Sequence, residues 1–416
     1  MKKNKILIII LLVTYCTANA QINVNNGGGG AVAYTDYTGI DYLVVFDQIT
    51  TNSVIEFTGG GTTFEWYKFS NPAVSISNQN EIYPDGNTGY KLVIDGTQAL
   101  TFWVIDYSTM FPQIDNITFN PNDENACNEV TLNLFGNIPP LSYQTEDGNI
   151  HLINRDLEVS YTTQNWGTDD WITVNATVVT VLNGNSAQVP APLVNTNFDV
   201  VMSDHFADTL GIAPTTAQSI TYQAIAVKNK LVTETVIREP ENEDERPDNV
   251  VFLEGSAPLD IHFFGNPTAA VTHNQWTVFK ENQFYLTRTS TDFPCTFSDF
   301  GRYKIVLVSS NQQCSYTDSV VVEINESALQ VPNVFTPNGD GVNDEFRVAY
   351  RSLRSFQMAV YNRWGNKIYT STDPAKGWNG NIGQREAAAG PYFYYIKAEG
   401  TDGKKYTKKG DINLIR

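Results

Sequence analysis

Residue types that commonly carry catalysis are few in this sequence, and they are scattered. No HExxH motif, HxH pair or cysteine at metal-binding spacing accompanies any of the four histidines, which are His151, His205, His262 and His273. The GxSxG, P-loop and GxGxxG motifs are absent as well. The sequence therefore predicts a protein that is not an enzyme, with no catalytic and no cofactor-binding residues.

One short segment has the residue types of a calcium loop. Residues 338–344 read NGDGVND, so Asn338, Asp340 and Asp344 bring side-chain oxygens to nearby positions. The bidentate glutamate that completes an EF-hand loop at its twelfth position is missing. Glycine permits positive φ, and Asn and Asp side chains bind neighbouring backbone amides, so the same residues also form a tight turn. We favour the turn and keep calcium as the alternative.

A pair of acids next to two tryptophans could suggest sugar chemistry. Asp169 and Asp170 precede Trp171 and follow Trp166. Neighbouring residues on a strand point to opposite faces, so the two carboxylates could flank one glycosidic bond only in a loop. We favour core or edge aromatics of a β-sandwich, with glycan binding by Trp166 or Trp171 as the alternative.

The elements that must position such residues are β-strands. Short alternating runs recur, among them residues 64–69 (FEWYKF), 100–105 (LTFWVI), 171–181 (WITVNATVVTV) and 303–308 (YKIVLV). Gly, Asn, Asp and Pro clusters separate them, and no window keeps a helical apolar period. The pattern predicts an all-β chain of tandem Ig-like β-sandwich domains that ends in a smaller β-sandwich.

The first twenty residues have the parts of a secretory signal peptide. Three lysines among the first five residues precede an apolar run at 6–13 that is too short to anchor in a bilayer, and cleavage is predicted between Ala20 and Gln21. No later run is long and apolar enough to cross a membrane. We therefore predict export, with no transmembrane segment in the mature chain.

Turn-forming and acidic segments divide the mature chain into several units. We predict sandwiches at residues 21–115 and 116–238, a third at 249–328, and a terminal module at 331–416. Residues 239–248 read EPENEDERPD, with six acidic residues and no apolar side chain, which indicates a solvated linker.

Three cysteines remain after signal cleavage. Cys295 and Cys314 flank one hairpin, so they are the predicted disulfide of an exported protein. Cys127 is then a single thiol, with an intermolecular bond or a nucleophile as alternatives.

Charge is distributed unevenly along the chain. Residues 331–416 carry 13 Lys and Arg against 8 Asp and Glu, whereas residues 21–330 carry 11 against 37, a net charge of −26. Such a field repels nucleic acids and anionic lipids before contact, so neither is an expected partner of the acidic part.

The C-terminal segment resembles a known family. VPNVFTPNGDGVNDEF opens it, MAVYNRWGNKIYTS, GWNGNIG and AAAGPYFYYIKA follow, and YTKKGDINLIR closes it. In order and spacing these motifs resemble the gliding-motility-associated C-terminal domain, which is the type B sorting domain of the type IX secretion system. The resemblance implies delivery through the periplasm to the cell surface or extracellular space. It also implies two partners, the type IX translocon and an outer-membrane barrel of the PorP/SprF kind.

By the same resemblance, the end of the chain is expected to contact the secretion apparatus. The residues concerned are Lys408, Lys409, Gly410, Leu414, Ile415 and Arg416. The alternative is that these lysines protect an edge strand from unwanted pairing. We interpret Tyr361, Trp364 and Trp378 as hairpin cores and turns that hold the module together.

The unit at 249–328 resembles a PKD-type Ig-like domain. GSAPLDIHFFGN (255–266), Trp276, FSDFGRYKIVLVSSN and CSYTDSVVVEI match that family's strands and core tryptophan. Three hypotheses for function follow. The first is a surface-delivered binding or adhesion protein with a glycan or protein ligand, the second an accessory component of the secretion or gliding apparatus, and the third a hydrolase with a dispersed active site.

Overall fold

The computed structural model describes residues 21–120 and 123–416, and their regular secondary structure is almost entirely β-strand. The predicted signal peptide at 1–20, with Ala20 of its cleavage site, lies outside the described residues. The all-β prediction of tandem sandwiches is confirmed. In the described ranges, no helix has both the length and the apolar character needed to cross a bilayer.

The first domain is a sandwich of a three-stranded and a six-stranded sheet, in the orders β1-β4-β7 and β2-β3-β9-β8-β5-β6. Its core lies between the sheets around Trp66, Tyr90 and Phe102, which are buried. Its strands are β1 Ile22–Asn25, β2 Ala31–Tyr34, β3 Tyr42–Phe46, β4 Val54–Phe57, β5 Phe64–Lys68, β6 Asn71–Ser77, β7 Glu81–Ile82, β8 Thr88–Ile94 and β9 Gln98–Asp106, followed by a 3-10 turn at Tyr107–Thr109.

The second domain packs the sheet β10-β11-β16 against the sheet β15-β14-β17-β18, with a separate hairpin β12-β13. It begins at Gln113, three residues before the predicted boundary, because β10 pairs with β11. Its elements are β10 Gln113–Phe119, β11 Glu129–Asn137, β12 Ser142–Gln144, β13 Ile150–Leu152, β14 Asp156–Trp166, β15 Trp171–Val181, β16 Ser186–Pro190, β17 Asp199–Ser203, helix α1 His205–Leu210 and β18 Thr215–Gln218.

The third domain pairs the sheet β19-β21-β24 with the sheet β20-β26-β25-β22-β23. The expected core tryptophan Trp276 is buried between them, together with Tyr303 and Leu307. Its strands are β19 Val232–Thr235, β20 Glu254–Gly255, β21 Leu259–Phe264, β22 His273–Lys280, β23 Gln283–Arg288, β24 Asp292–Phe297, β25 Gly301–Ser310 and β26 Ser315–Ile324.

The predicted linker at 239–248 is wrong, and so is the domain boundary at 238. The strand β19 precedes the acidic segment, yet it pairs antiparallel with β21, which follows the segment. Residues 239–248 are therefore a loop inside the third domain, which we name the acidic loop. Its Glu243 is buried and ion-paired with Arg238 at 2.5 Å, so a carboxylate that composition assigns to solvent lies in the protein interior.

The predicted Cys295–Cys314 disulfide is also wrong. Cys314 is bonded to Cys127, with their Cα atoms 5.4 Å apart, and Cys295 is a free, half-buried thiol. Cys295 lies on β24, in the three-stranded sheet, whereas Cys314 precedes β26 in the opposite sheet. Proximity along the chain therefore does not bring these two cysteines together, and the disulfide instead joins the second domain to the third.

The terminal module contains a five-stranded sheet in the order β28-β35-β34-β30-β31 and two small pairs, β27-β29 and β32-β33. One face of the large sheet, with Val360 and Ile412, packs against Phe346 and Trp378 in the module's core. Its strands are β27 Ala328–Gln330, β28 Val334–Phe335, β29 Ala349–Arg351, β30 Leu353–Tyr361, β31 Lys367–Ser371, β32 Asn381–Ile382, β33 Arg385–Glu386, β34 Gly390–Gly400 and β35 Lys405–Leu414.

An apolar cluster joins the first domain to the second. Leu43, Val45 and Tyr107 of the first domain are buried against Tyr143 and Phe206 of the second. We name this contact the first junction. The two domains therefore share one continuous core where they meet.

A buried ion pair lies beside this cluster. The Arg155 guanidinium is 2.5 Å from the Asp204 carboxylate, and their side chains are only 5% and 2% exposed. The Tyr107 hydroxyl donates to the same carboxylate at 2.8 Å. Asp204 also accepts from the Phe206 and Ala207 amides, so it caps α1.

Candidate functional site

The predicted recognition residues lie on β35, an interior strand of the module's sheet. Along its whole length β35 pairs antiparallel with β34, and at its end Asn413 and Leu414 pair parallel with Val334 and Phe335. Of the strands in the described part of the chain, only the two-residue β28 pairs with the other edge of β35. The backbone around Lys408 and Lys409 therefore lies at an open edge.

The structure separates these residues into two kinds. Lys408, Lys409 and Ile415 are exposed and free to meet a partner. Leu414 is buried in the core, and the Arg416 guanidinium is ion-paired with Glu386. Leu414 and Arg416 therefore contribute to the module's own fold, and their side chains do not extend freely into solvent.

Gly410 has a packing role. A Cβ atom at this position would lie 2.8 Å from the Tyr394 hydroxyl and 3.0 Å from its ring, so a larger residue would require the Tyr394 side chain to shift. The Tyr394 ring in turn packs at 5.5 Å from Phe346, between centroids. Gly410 therefore supports the module's fold, and recognition by this residue stays a prediction.

The three calcium candidates lie in one loop, where backbone amides donate hydrogen bonds to the two carboxylates. The Gly339 and Gly341 amides each donate to Asp344 at 2.7 Å, and the Val342 amide donates to Asp340 at 2.8 Å. This backbone bond, together with one from the Asn338 side chain, lowers the pKa of Asp340 below its usual value. The geometry is that of a self-capped turn, and calcium binding stays a prediction.

The module's two tryptophans lie in different environments, one in the core and one in a turn. Trp378 is buried in the core, as expected, but Trp364 is 71% exposed in the turn after β30. Asn362 orders that turn, because its side-chain oxygen accepts from the Trp364 and Asn366 amides at 3.0 Å. Alternation along GPYFYYIKA also places Phe393 and Tyr395 on the face of β34 that points away from the buried Tyr392 and Ile396. The sequence alone contained this signal of exposed aromatic residues.

The acidic loop holds the module through backbone-directed hydrogen bonds. Asn242 Nδ2 donates to the Val348 and Pro374 carbonyls at 2.8 and 2.9 Å, and the Asp244 amide donates to the Tyr350 carbonyl at 2.7 Å. Burial, with Glu243 nearby, raises the pKa of Tyr350 to about 12. We name this contact between the third domain and the module the last junction.

Two buried serines complete the last junction. The Ser352 amide donates to Ser256 Oγ at 2.9 Å, and the Ala257 amide donates to Ser352 Oγ at 3.1 Å. Around them, Arg351 is ion-paired with Glu245, and Arg354 is 2.5 Å from Asp299. The module is therefore anchored to the third domain by polar contacts on several sides.

The tryptophan pair of the second domain lies at another junction. Trp166 and Trp171 pack edge to face with ring centroids 5.4 Å apart, and Trp171 Nε1 donates to the Asn266 carbonyl of the third domain at 2.9 Å. Asp169 and Asp170 are exposed in the turn between β14 and β15. Trp171 thus contributes to a contact between domains, and a glycan-binding role stays a prediction.

Metal-binding side chains are not gathered anywhere in residues 21–120 and 123–416. No group of three or more His, Cys, Asp or Glu side chains in those ranges has an arrangement that could hold a metal ion. The free Cys295 is half-buried, and that burial raises the pKa of its thiol to about 11. At neutral pH the thiol is therefore protonated and a poor nucleophile.

Comparison with protein families identifies two parts of the chain. Residues 329–414 match the CHU_C type IX secretion signal domain, and residues 119–219 match a fibronectin type III domain. The chain therefore carries a type IX secretion signal domain at its C-terminus and a fibronectin type III or Ig-like domain upstream. It is secreted cargo of that system, exported to the cell surface or extracellular space.

Solved structures with weak similarity to this chain include part of a large adhesion protein. A tetra-tandem repeat from the extending region of a large adhesion protein has 11% identity over 90% of this chain and 98% of its own, with a TM-score of 0.22. The Sidekick-1 immunoglobulin domains 1–5 have 10% identity over 86% and 74%, with a TM-score of 0.26. Dimeric latent PorU from Porphyromonas gingivalis has 9% identity over 77% and 36%, with a TM-score of 0.16. Likenesses this weak carry no functional information, and no curated protein matches the sequence.

Proposed function

We propose that this chain is a non-enzymatic binding or adhesion protein, delivered by type IX secretion and displayed outside the cell. The observation that carries the proposal is that all three contacts between consecutive domains are fixed. The first junction is an apolar core, a disulfide bridges the second domain to the third, and polar contacts anchor the module. Fixed junctions suit binding surfaces, because little interdomain freedom remains to be lost when a ligand binds.

The ligand class follows from charge and from the exposed surfaces. A net charge of −26 over residues 21–330 repels nucleic acids, so a glycan or a protein is the proposed ligand. Exposed apolar side chains on the sandwich surfaces, such as Ile172 and Val179 on β15, offer contact area for it.

For delivery, the proposed partners are the type IX translocon and an outer-membrane barrel of the PorP/SprF kind that receives the module. Exposed Lys408 and Lys409 at the open edge of β35 support a contact there, because an open edge can accept a strand from a partner.

The test compares cells that produce the full chain with cells that produce it without residues 331–416. We expect the full chain outside the cell and the truncated chain in the periplasm, measured by fractionation and intact mass. Attachment of these cells to glycan-coated and protein-coated surfaces then measures binding. Export of the truncated chain would refute the delivery step, while equal attachment by cells lacking the whole chain would refute the binding role.

Two further measurements separate the proposal from its competitors. Loss of other type IX cargo on deletion of this chain would indicate an accessory component of the apparatus. Turnover of polysaccharides or peptides by the purified chain would indicate a hydrolase.

A further inference from the structure

The face of the module's large sheet that points away from its core carries exposed aromatic side chains. In the register of the sheet, Tyr361 on β30 lies opposite Phe393 on β34, and the next outward residue of β34 is Tyr395. Phe393 is 47% exposed and Tyr395 is 37% exposed. On soluble proteins, a large contiguous apolar patch bordered by polar residues commonly marks an interaction site. This face therefore has the character of a contact surface.

The turn after β30 extends this surface. It follows Tyr361 directly, and it holds Trp364 in solvent through the Asn362 hydrogen bonds described above. The Arg363 guanidinium lies 4.3 Å from the centre of the Trp364 ring, which is a cation–π contact. An ordered, exposed tryptophan with an arginine on its ring loses little conformational entropy on binding, and these two residue types dominate binding hot spots.

Basic side chains surround the aromatic residues. Lys409 lies opposite Tyr395 on β35, and Lys397 follows Tyr395 on the same face with its Nζ 5.6 Å from the tyrosine ring centre. Lys367 lies opposite Tyr361 on β31, and the carboxylate of Asp411 lies opposite Phe393. Lysines thus outnumber acids on this face. A shallow cavity of about 650 Å³, lined in part by Lys397, adjoins it.

We propose that this surface is where the module meets an acidic protein surface of the secretion machinery. We name it the outer aromatic face, and it comprises Tyr361, Trp364, Phe393, Tyr395, Lys397 and Lys409. An aromatic centre with a charged rim is the usual anatomy of a protein–protein interface, which favours a protein over a lipid or a glycan. The lysine rim favours an acidic partner. The inference rests on the proposed delivery route and assigns its contact to a face rather than to the chain terminus.

The test uses the full chain in its own cells, with two variants of this face. One replaces aromatic residues by strand-compatible threonine, Phe393→Thr with Tyr395→Thr. The other reverses exposed charges, Lys397→Glu with Lys409→Glu. We expect each to lower the exported fraction by about tenfold or more, the loss typical of a hot-spot contact, with accumulation in the periplasm. The matched controls are Phe284→Thr with Tyr285→Thr on β23 and Lys304→Glu on β25, which should be exported normally.

Unfolding temperatures of the purified variants keep the outcome interpretable. If the threonine variant unfolds early, the charge-reversal variant decides, because it changes only exposed side chains. Normal export of a folded charge-reversal variant overturns the proposal. If the charge-reversal variant is exported normally but the chain without residues 331–416 stays in the periplasm, the delivery role stands and only the assignment of the contact to this face is wrong. If the truncated chain is also exported, the delivery role itself fails.

A photo-crosslinking residue in place of Tyr395 identifies the kind of partner. We expect a discrete adduct that proteinase K degrades and that a crosslinker in place of Phe284 does not form. An adduct with lipopolysaccharide instead of protein would overturn the proposal. Binding of the purified chain to vesicles of phosphatidylcholine and phosphatidylglycerol, lost in the charge-reversal variant, would overturn it in favour of a lipid surface.

Discussion

The first and last junctions both join neighbouring domains, but the first does so mainly through apolar contacts and the last mainly through polar ones. At the first junction, the two domains bury Leu43, Tyr107 and Phe206 in a shared apolar cluster around one ion pair. At the last junction, the acidic loop and the reciprocal hydrogen bonds of Ser256 and Ser352 hold the module to the third domain, together with exposed ion pairs. One contact resembles a domain interior, and the other resembles a polar interface between separate domains.

The difference indicates which parts behave as one folding unit. Apolar burial is not directional and scales with area, so the first two domains are expected to lose their structure together. Hydrogen bonds contribute modestly when made, but a buried donor left without its acceptor is costly. The last junction therefore depends on a few specific atoms, whereas the first depends on area and on one buried pair.

The largest effect is expected from removing one partner of the buried ion pair at the first junction. Arg155→Ala leaves the Asp204 carboxylate buried without its guanidinium, and a loss of this kind destabilises by about 3–5 kcal/mol. Calorimetry should show a lower unfolding temperature for the transition of the first two domains, with the module's transition unchanged.

The matched control crosses the same junction at its surface. Lys91 is 2.7 Å from Glu146, and both side chains are partly exposed. Because water screens an exposed pair, Lys91→Ala should cost at most about 1 kcal/mol. Equal losses in the two variants would show that burial does not distinguish the contacts.

The covalent contact between the second and third domains should give the next largest effect. Cys127→Ser opens a disulfide that spans 187 residues of sequence, and removal of a disulfide typically costs about 2–4 kcal/mol. Cys295→Ser removes a thiol that takes part in no bond, so it should leave the unfolding temperature nearly unchanged.

Intact mass checks the pairing itself. Alkylation of the mature chain under denaturing conditions should label one cysteine before reduction and three afterwards. Denaturing conditions are needed because burial raises the pKa of the Cys295 thiol to about 11 and suppresses its reaction in the folded chain. A peptide linking Cys295 to Cys314 would contradict the structure.

The strands were predictable from sequence because their information is local. Alternation along YKIVLV assigns Tyr303, Ile305 and Leu307 to one face, and that face is buried in the structure. Trp276, two residues before Val278 on β22, likewise lies in a core. A strand's two faces are fixed by a period of two residues, which the sequence shows directly.

What the sequence did not predict depends on which domains touch. Cys127 and Cys314 meet because the second and third domains pack together, and no local pattern reports that contact. The acidic loop has the composition of a solvated linker, but Arg238 pairs with its Glu243, and backbone carbonyls of the module accept hydrogen bonds from Asn242 and the Asp244 amide. The exposure of Trp364 was not predictable, because a turn residue has no alternation to show whether it points inward.

A smaller loss is expected at the last junction. Ser352→Ala leaves the buried Ala257 amide without its acceptor, which costs about 1–3 kcal/mol. Hydrogen exchange should show faster exchange of that amide, with the module's own sheet still protected. Ser355→Ala, an exposed serine three residues further along on β30, is the control and should change neither measurement. Unchanged exchange at Ala257 in the Ser352 variant would contradict the assigned bond.

The smallest effect is expected from pH, at the connection between the third domain and the module. The Ser327 amide and hydroxyl both donate to Asp402, at 3.0 and 2.8 Å. Burial alone would raise the pKa of Asp402, but hydrogen bonds from the Lys404 amide and from Ser327 outweigh it and lower the pKa below its usual value. Because the folded chain binds the proton less readily than the unfolded chain, the ionised carboxylate stabilises the fold.

This stabilisation is complete above the unfolded pKa of about 3.9, and it is lost as the pH falls through the lower folded value. Between pH 7 and pH 3, the module of the unmodified chain should therefore lose more thermal stability than that of Asp402→Asn, whose amide keeps an acceptor oxygen but does not titrate. Asp411→Asn removes an exposed carboxylate from β35 and controls for net charge. Since Asp402 is partly exposed, water weakens its contribution, and the difference should be smaller than for either buried contact. If Asp402→Asn loses as much stability on acidification as the unmodified chain, the acid sensitivity of the last junction arises elsewhere.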